Sequence, residues 1–334
     1  MSTEHPEAAA APAAAPAGAD TAGGRVQQVL EQLGGVVLGQ DQVLRQMMVA
    51  LLAGGHALLE GVPGTAKTLA IRSLALALDL RFGRVQFTPD LMPTDLIGVN
   101  VLDELKRDFA FHPGPVFTDL LLADEINRAP AKTQAALLEA MQEKQVTVDG
   151  RTRPLPVGFT VFASQNPVEY EGTYPLPEAQ LDRFLLKIVV GYPGAEAERA
   201  ILDRYVGGFS ADRADTYGIR PVLGGGELTA LRQAVAAVHV EPNVRDYITR
   251  IVRATREEPS FALGASPRAG VALFLAARAE AFLSERDFVT PDDVKTLAAP
   301  VLRHRVVLTP EAEVEGQTVD ERLAGMLNTL PAPR

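Results

Sequence analysis

The sequence predicts an α/β domain built on a parallel sheet, followed by a smaller all-α domain. Between residues 25 and 192, short apolar runs alternate with segments of helical apolar spacing, which is the pattern of a parallel sheet covered by helices on both faces. From residue 193 to about residue 330 only helical segments follow. A chain of 334 residues is long enough for two domains. We therefore expect the domain boundary near residue 192.

The individual elements follow from apolar spacing and from breaks at glycine and proline. In the first domain, four segments have helical spacing: residues 26–33, 42–52, 67–78 and 131–143. Five short apolar runs are expected to form strands: residues 56–60, 84–87, 120–123, 159–163 and 184–190. In the second domain, five helices are expected: residues 196–206, 227–238, 244–256, 268–284 and 291–302.

Composition excludes several classes of protein. The chain has 32 basic and 42 acidic side chains, and the net charge of −10 gives no electrostatic support for binding nucleic acid. No apolar run reaches the roughly 18 residues of a membrane helix. The absence of cysteine fits a reducing cytoplasm, which is the expected location. Residues 1–24, rich in alanine and proline, are expected to form a disordered tail.

A glycine-rich segment between a predicted strand and a predicted helix carries the strongest motif. It matches the phosphate-loop pattern G-x-x-x-x-G-K-[ST] except for one alanine, and it consists of Gly61, Val62, Pro63, Gly64, Thr65, Ala66, Lys67 and Thr68. Backbone N–H groups at a helix start attract phosphate, Lys67 adds positive charge, and Thr68 offers a hydroxyl to Mg²⁺. Ala66 replaces the usual glycine, and we expect it to have helical dihedral angles.

Two carboxylates end the predicted strand 120–123. Asp124 is expected beside the phosphate loop at the same edge of the sheet, where it can hold Mg²⁺ through water. Glu125 can orient and deprotonate an attacking water molecule. The guanine-reading pattern N-K-x-D is absent from the sequence, which favours ATP over GTP. The basic cluster 303–305, which includes His304, is interpreted as a helix end favoured by the helix dipole.

With these motifs the chain resembles the MoxR family of AAA+ ATPases over residues 25–320. The resemblance rests on the loop 61–68, in which this family often has alanine at the position of Ala66, and on the segment 121–130. It extends over further stretches: residues 85–91, 113–115, 139–143, 163–167, 179–184, 266–269 and 302–305. It implies an AAA+ α/β nucleotide-binding domain at 25–192, an all-α lid at 193–330, and Mg²⁺-dependent hydrolysis of ATP.

The resemblance also implies roles for single residues. Asn166 matches the sensor that contacts the γ-phosphate or the attacking water. Arg183 matches the arginine finger that acts on a neighbouring subunit, and Arg268 matches a second sensor at the γ-phosphate. Gln40 lies in the segment that in this family surrounds the adenine.

Assembly and partners are likewise implied by the family. We expect a homo-oligomer, a hexameric ring, that remodels or matures a protein client, with a von Willebrand A domain protein as partner. The insertions at 92–116 and 144–156 are expected to face the pore or one face of the ring, and a hairpin is expected at 144–153. Two alternatives stay open: a motor subunit of the magnesium-chelatase type, and a phosphotransferase that uses the same loop.

Overall fold

The computed structural model of the chain describes residues 21–103, 108–167, 173–224 and 226–333. Residues 1–20 of the predicted tail and residues 104–107 of the first insertion lie outside this part. The first helix begins at Ala22, ahead of the expected start of folded chain at Arg25. Its start is fixed by Thr21, whose Oγ accepts a hydrogen bond from the N–H of Gly24 at 3.0 Å.

The described chain contains helices and strands in the order expected for an α/β domain and a helical region. The helices are α1 (Ala22–Gly34), α2 (Asp41–Leu52), α3 (Lys67–Ala77), α4 (Pro93–Ile97), α5 (Ala131–Glu143), α6 (Glu178–Leu181), α7 (Ala195–Val206), α8 (Glu227–Ala237), α9 (Pro242–Glu257), α10 (Pro267–Leu283), α11 (Pro291–Leu302), α12 (Pro310–Val314) and α13 (Val319–Thr329). The strands are β1 (Ala57–Glu60), β2 (Phe82–Gln86), β3 (Gly98–Asp103), β4 (Asp108–Pro113), β5 (Leu120–Asp124), β6 (Gln145–Val148), β7 (Arg151–Pro154), β8 (Thr160–Gln165), β9 (Leu186–Val189), β10 (Phe261–Leu263) and β11 (Val307–Leu308).

The five strands predicted from apolar runs form one parallel sheet in the order β2-β5-β8-β1-β9. Successive residues of β5 point to opposite faces. Leu120 and Leu122 join the larger apolar cluster, whereas Leu121 and Ala123 join the smaller one. Because all neighbouring strands are parallel, their carboxyl ends lie at one edge of the sheet. The predicted α/β class is confirmed.

Helices cover both faces of this sheet. Residues of α1, α2 and α3 belong to the larger cluster, and residues of α5 belong to the smaller one. The larger cluster continues into α8–α11, so the helical region packs against the same core as the sheet. The helical region also contains the antiparallel pair β10–β11, which the all-α prediction lacks. These strands have only three and two residues, too short for a periodic apolar pattern.

The sheet domain also contains two antiparallel two-stranded ribbons. The expected hairpin is confirmed as β6–β7, with Asp149 and Gly150 at φ 49° and 74° in the turn. The first insertion carries α4 and the ribbon β3–β4. Within the described ranges, no helix is long and apolar enough to cross a membrane.

Candidate nucleotide-binding site

A cavity of about 650 Å³ opens at the carboxyl edge of the sheet. Six loop residues line it: Pro63, Gly64, Thr65, Ala66, Lys67 and Thr68. Asp124, Glu125 and Asn166 line it as well, so the sheet brings together residues that lie about a hundred positions apart in the sequence. An apolar part of the wall is made by residues before α2 and on α7, including Val37, Leu38 and Ile201. A polar end and an apolar end in one cavity suit a nucleotide.

The backbone of the phosphate loop is set by small residues. A Cβ on Gly61 would lie 2.3 Å from the carbonyl oxygen of Val190, so only glycine fits beside β9. Gly64 has φ 85°, a conformation that residues with a Cβ adopt rarely. The expectation of helical dihedral angles for Ala66 is wrong, because it has φ 62° and ψ 20° in the left-handed region. Ala66 reverses the chain immediately before α3 begins at Lys67.

Lys67 is held over the loop by two carbonyl groups. Its Nζ donates to the carbonyl oxygens of Gly61 and Val62 at 2.5 and 3.0 Å. Gly61 and Val62 do not line the cavity themselves, but their carbonyl groups position the Lys67 side chain that does. Burial lowers the pKa of Lys67, and the carboxylates of Asp124 and Glu125 oppose that shift. The ammonium group is thus partly desolvated and close to where the loop would hold phosphate.

The two carboxylates predicted from sequence are held by residues of neighbouring strands. Asp124 accepts hydrogen bonds from Ser164 Oγ at 2.5 Å and from Arg84 Nη2 at 2.7 Å. Glu125 has φ 55°, and its Oε2 accepts from Gln86 Nε2 at 2.6 Å. Arg84 Nη2 also donates to Gln86 Oε1 at 3.1 Å. A chain of contacts therefore runs from Asp124 through Arg84 and Gln86 to Glu125.

Asn166 and Gln40 both lie at the cavity. Asn166 follows β8 directly and is only 8% exposed. Gln40 is buried before α2, and its Nε2 donates to the carbonyl oxygen of Gly191 at 2.8 Å. That bond ties the segment before α2 to the segment after β9 and so fixes one wall of the cavity.

Arg183 and Arg268 lie elsewhere. Among the described residues that line the nucleotide cavity, neither is present. Both line a second, smaller cavity of about 230 Å³, together with Lys144 on the helix α5 side. Arg183 Nη1 donates to the carbonyl oxygen of Leu138 at 3.1 Å, and Arg268 Nε lies 4.0 Å from Asp182 Oδ2. We name this the arginine cavity.

Arg305 lines the arginine cavity and stabilises its wall, and its side chain is only 3% exposed. Its guanidinium donates to Asp182 Oδ1 at 2.6 Å and to the carbonyl oxygens of Phe184 and Leu185 at 2.6 and 3.2 Å. His304 is also buried, and burial and Arg305 lower its pKa well below the usual value. Residues 303–305 do follow the end of α11, as predicted, but stabilisation by the helix dipole does not apply to His304, whose lowered pKa disfavours the charged ring.

Comparison with known proteins agrees with this architecture. The family model described as "ATPase family associated with various cellular activities (AAA)" matches residues 56–186, and the "AAA lid domain" model matches residues 253–325. The chain is 46% identical to Chaperone MoxR1 of Mycobacterium tuberculosis, over 90% of this chain and 80% of that protein.

The chain belongs to the MoxR family of AAA+ ATPases.

Two further relatives extend the likeness over nearly the whole chain. Uncharacterized protein YeaC of Bacillus subtilis is 44% identical, over 92% of this chain and 94% of that protein. A solved structure from Cytophaga hutchinsonii is 41% identical, with a TM-score of 0.85 over 93% of this chain and 96% of that chain. Members of this family bind nucleotide and hydrolyse ATP, which fits the cavity at the phosphate loop.

Proposed function

We propose that this MoxR-family ATPase hydrolyses ATP in the cavity at the phosphate loop, with Lys67, Asp124, Glu125 and Asn166 as its working residues. The observation that carries the proposal is that the loop and both carboxylates line one cavity. Glu125 takes a proton from water while the water oxygen attacks the γ-phosphorus. The bond from the γ-phosphorus to the bridging oxygen breaks, and ADP and phosphate leave. Lys67 balances negative charge on the phosphates, and Asn166 orients the water.

Mg²⁺ is the expected metal partner of the nucleotide. The Thr68 hydroxyl and the Asp124 carboxylate line the same cavity and are the hard oxygen donors that Mg²⁺ prefers, so these residues fit the ion. Bound there with the nucleotide, Mg²⁺ would neutralise charge on the transferring phosphoryl group. Arg84 Nη2 donates a hydrogen bond to Asp124 Oδ2, and this bond would have to weaken or break for that oxygen to bind Mg²⁺.

Substitution of Glu125 tests the proposed chemistry. Glu125→Gln keeps the size of the side chain and removes the base, so turnover should fall by roughly 10² to 10⁴ while ATP binding persists. Lys67→Ala is the matched control, because it should weaken ATP binding by about 3 kcal/mol through loss of charge-assisted hydrogen bonds. Fluorescent-nucleotide titration and phosphate release measure the two effects. Near-parent turnover of Glu125→Gln would assign the base to another residue.

We further propose that each site is completed by Arg183 and Arg268 of a neighbouring subunit in a ring, hexameric as the family implies. The proposal is supported by the separate position of the arginine cavity. Arg183→Ala should bind ATP normally and hydrolyse it about 10³-fold or more slowly. Mixing Arg183→Ala with Lys67→Ala should restore part of the activity, because some interfaces then pair an intact loop with an intact arginine. A mixture without rescue would contradict the shared site.

We propose a chaperone-like role, in which ATP turnover remodels or matures a protein client with a von Willebrand A domain partner. The support is the name of one relative, Chaperone MoxR1, together with the family resemblance. Immobilised Glu125→Gln loaded with ATP should retain the client, whereas Lys67→Ala should not. Mass spectrometry of the retained proteins identifies it. Equal retention by both variants would argue against ATP-dependent engagement.

A further inference from the structure

Arg84 is a cationic residue of the edge strand β2, and it lines the nucleotide cavity. Its Cα pairs with Leu122 of β5, and Gln86 pairs with Asp124 in the same register. Because side chains alternate along a strand, Arg84, Gln86 and Asp124 lie on one face of the sheet. Val85, between the first two, enters the apolar cluster on the other face. The Arg84 side chain is 49% exposed, so packing leaves it room to move.

The Asp124 carboxylate has a different donor on each oxygen. Ser164 Oγ donates to Oδ1 at 2.5 Å. Arg84 donates to Oδ2 from Nη2 at 2.7 Å and from Nε at 3.3 Å. Mg²⁺ bound at this carboxylate, directly or through a water molecule, would compete with one of these donors. The serine hydroxyl is neutral whereas the guanidinium repels a second cation, so Arg84 is the donor that Mg²⁺ would displace.

The acceptors linked to Arg84 in the described structure already have donors. Gln86 Oε1 accepts from Arg84 Nη2 itself at 3.1 Å. Glu125, the second carboxylate of the site, accepts from Gln86 Nε2 at 2.6 Å and pairs with Arg128 Nε at 3.3 Å. ATP would bring new anionic oxygens to this part of the cavity, because its terminal phosphate shares Mg²⁺ with the protein carboxylate. A guanidinium binds phosphate oxygens through strong charge-assisted hydrogen bonds.

We propose that Arg84 is a ligand of the γ-phosphate and that Mg²⁺ releases it from Asp124 for this role. The inference rests on the proposed hydrolysis of ATP in this cavity. The exchange keeps a cation at the carboxylate and adds one at the phosphate, so it couples metal binding to recognition of the γ-phosphate. ADP lacks that phosphate, so Arg84 would favour ATP over ADP. Arg84 acts here on the nucleotide of its own chain, unlike the role proposed for Arg183.

Nucleotide binding by Arg84→Gln tests this role without measuring turnover. Fluorescent ADP and a fluorescent non-hydrolysable ATP analogue are titrated with the full chain at saturating Mg²⁺. Loss of a charge-assisted hydrogen bond to phosphate lowers affinity roughly 10- to 100-fold, so the variant should bind the ATP analogue at least about tenfold more weakly. Its affinity for ADP should equal that of the parent, which also shows that the site is folded. Arg84→Lys keeps the charge without the planar fork and should give an intermediate ATP affinity.

Removal of the competing cation should at the same time help Mg²⁺ to bind. With ADP as the nucleotide, the Mg²⁺ concentration for half of the fluorescence change should fall about twofold to fivefold in Arg84→Gln, as expected for loss of a partly exposed ion pair. Damage to the site would instead raise the Mg²⁺ requirement and weaken both nucleotides. The two titrations together therefore distinguish exchange at Asp124 from a structural role of Arg84.

Arg81→Gln is the matched control, because Arg81 also joins β2 to β5 by an ion pair. Its Nε lies 2.9 Å from Asp119 Oδ2. Both residues immediately precede their strands, whereas the cavity opens at the carboxyl edge of the sheet. Arg81→Gln should therefore leave the preference for ATP over ADP and the Mg²⁺ requirement unchanged.

This inference and the proposed function can fail separately. If Lys67→Ala weakens binding of both nucleotides while Arg84→Gln keeps the parent preference for the ATP analogue, the phosphate-loop site stands and the role of Arg84 is wrong. Equal losses of ADP and ATP affinity in Arg84→Gln, a raised Mg²⁺ requirement, or the same changes in Arg81→Gln also overturn it. If Lys67→Ala binds both nucleotides as the parent does, the proposed function fails and the inference fails with it.

Discussion

At the scale of single residues, the phosphate loop depends on one alanine in an unfavourable conformation. Ala66 has φ 62°, and the left-handed region costs a residue with a Cβ roughly 1–2 kcal/mol. The cost is stored at the position where the chain turns into α3, next to the cavity. Such local strain is typical of sites where backbone groups must face a ligand.

The effect of substituting Ala66 on folding stability and ATP affinity should therefore depend on whether the new side chain is small or β-branched. Ala66→Gly removes the strain, which stabilises the folded protein. It also raises the conformational entropy of the unfolded chain, which lowers the folding stability by about 0.4–1 kcal/mol. Because the two effects oppose each other, stability and ATP affinity should stay near those of the parent. Ala66→Val places a β-branched residue at positive φ and should lower both, with a stability loss of about 1–3 kcal/mol. Urea midpoints and nucleotide titration check this. Equal behaviour of the two variants would contradict the left-handed conformation.

Gln86 is expected to position Glu125 for catalysis. The 2.6 Å hydrogen bond to Glu125 Oε2 fixes the carboxylate, and one such bond contributes about 1–1.5 kcal/mol. Gln86→Ala should lower kcat about tenfold and leave ATP affinity unchanged, because the phosphate-binding groups remain. Gln145→Ala, at an exposed position that starts β6, is the matched control. A change in ATP affinity without a change in kcat would assign Gln86 to binding instead.

The site residues that the sequence predicts are contiguous in the chain, whereas the site residues that it does not predict come together only in the folded sheet. The loop 61–68 and the pair Asp124–Glu125 are continuous in the chain, so their patterns are visible in the sequence. Arg84, Gln86 and Ser164 meet the carboxylates only through the strand order β2-β5-β8, in which Gln86 pairs with Asp124. Strand order is set by packing and not by any local pattern, so no spacing rule identifies these three residues.

At the scale of elements, the end of α11 holds the segment that carries Arg183. Arg305 follows α11 and reaches Asp182, Phe184 and Leu185 with one guanidinium. These contacts lie on both sides of Arg183 in the chain. The guanidinium carries five N–H donors on three nitrogen atoms in one plane, whereas lysine carries its three donors on a single nitrogen and so cannot reproduce this set of contacts. The helical region is thereby linked to the proposed finger.

Arg305→Lys tests whether Arg305 positions Arg183 for catalysis or only stabilises the fold. We expect retained ATP binding, a stability loss of about 1–3 kcal/mol and turnover close to that of Arg183→Ala. Mixed with Lys67→Ala, Arg305→Lys should restore part of the activity, because the intact loop of the Arg305→Lys subunit can then meet the well-placed finger of the Lys67→Ala subunit. Arg303→Lys is the control, since Arg303 pairs with the exposed Asp320. Parent-like turnover of Arg305→Lys alone, or no rescue on mixing, would contradict the positioning role.

At the scale of the whole molecule, the sheet and the helical region share one apolar core, and buried histidines lie beside it. His56 precedes β1, and its Nδ1 accepts a hydrogen bond from the N–H of Val161 at 2.9 Å. Its Nε2 lies 3.2 Å from the carbonyl oxygen of Met141 at the end of α5. Burial lowers the pKa of His56 from 6.5 to about 4, so the folded protein holds this ring neutral.

The protein should lose stability in mild acid because of this ring. Between pH 6.5 and 4 the unfolded chain protonates His56 and the folded protein does not, so unfolding takes up a proton and becomes easier as the pH falls. At pH 5 the expected cost is about 2 kcal/mol. Urea unfolding at pH 7.5 and pH 5.0 measures it.

A matched pair of variants isolates the contribution of His56. His56→Gln can still accept and donate one hydrogen bond but does not titrate, so it should be less stable than the parent at pH 7.5 and lose less between the two pH values. His239→Gln, at a mostly exposed histidine, should keep the full loss. The pKa values of Asp119 and Glu258 are lowered in the folded protein, but their ordinary values of 3.8 and 4.5 already lie below pH 5, so both groups contribute little between pH 7.5 and 5.0. An equal loss in His56→Gln and in the parent would show that the acid sensitivity arises elsewhere, with His304 as the next residue to substitute because its pKa is also lowered.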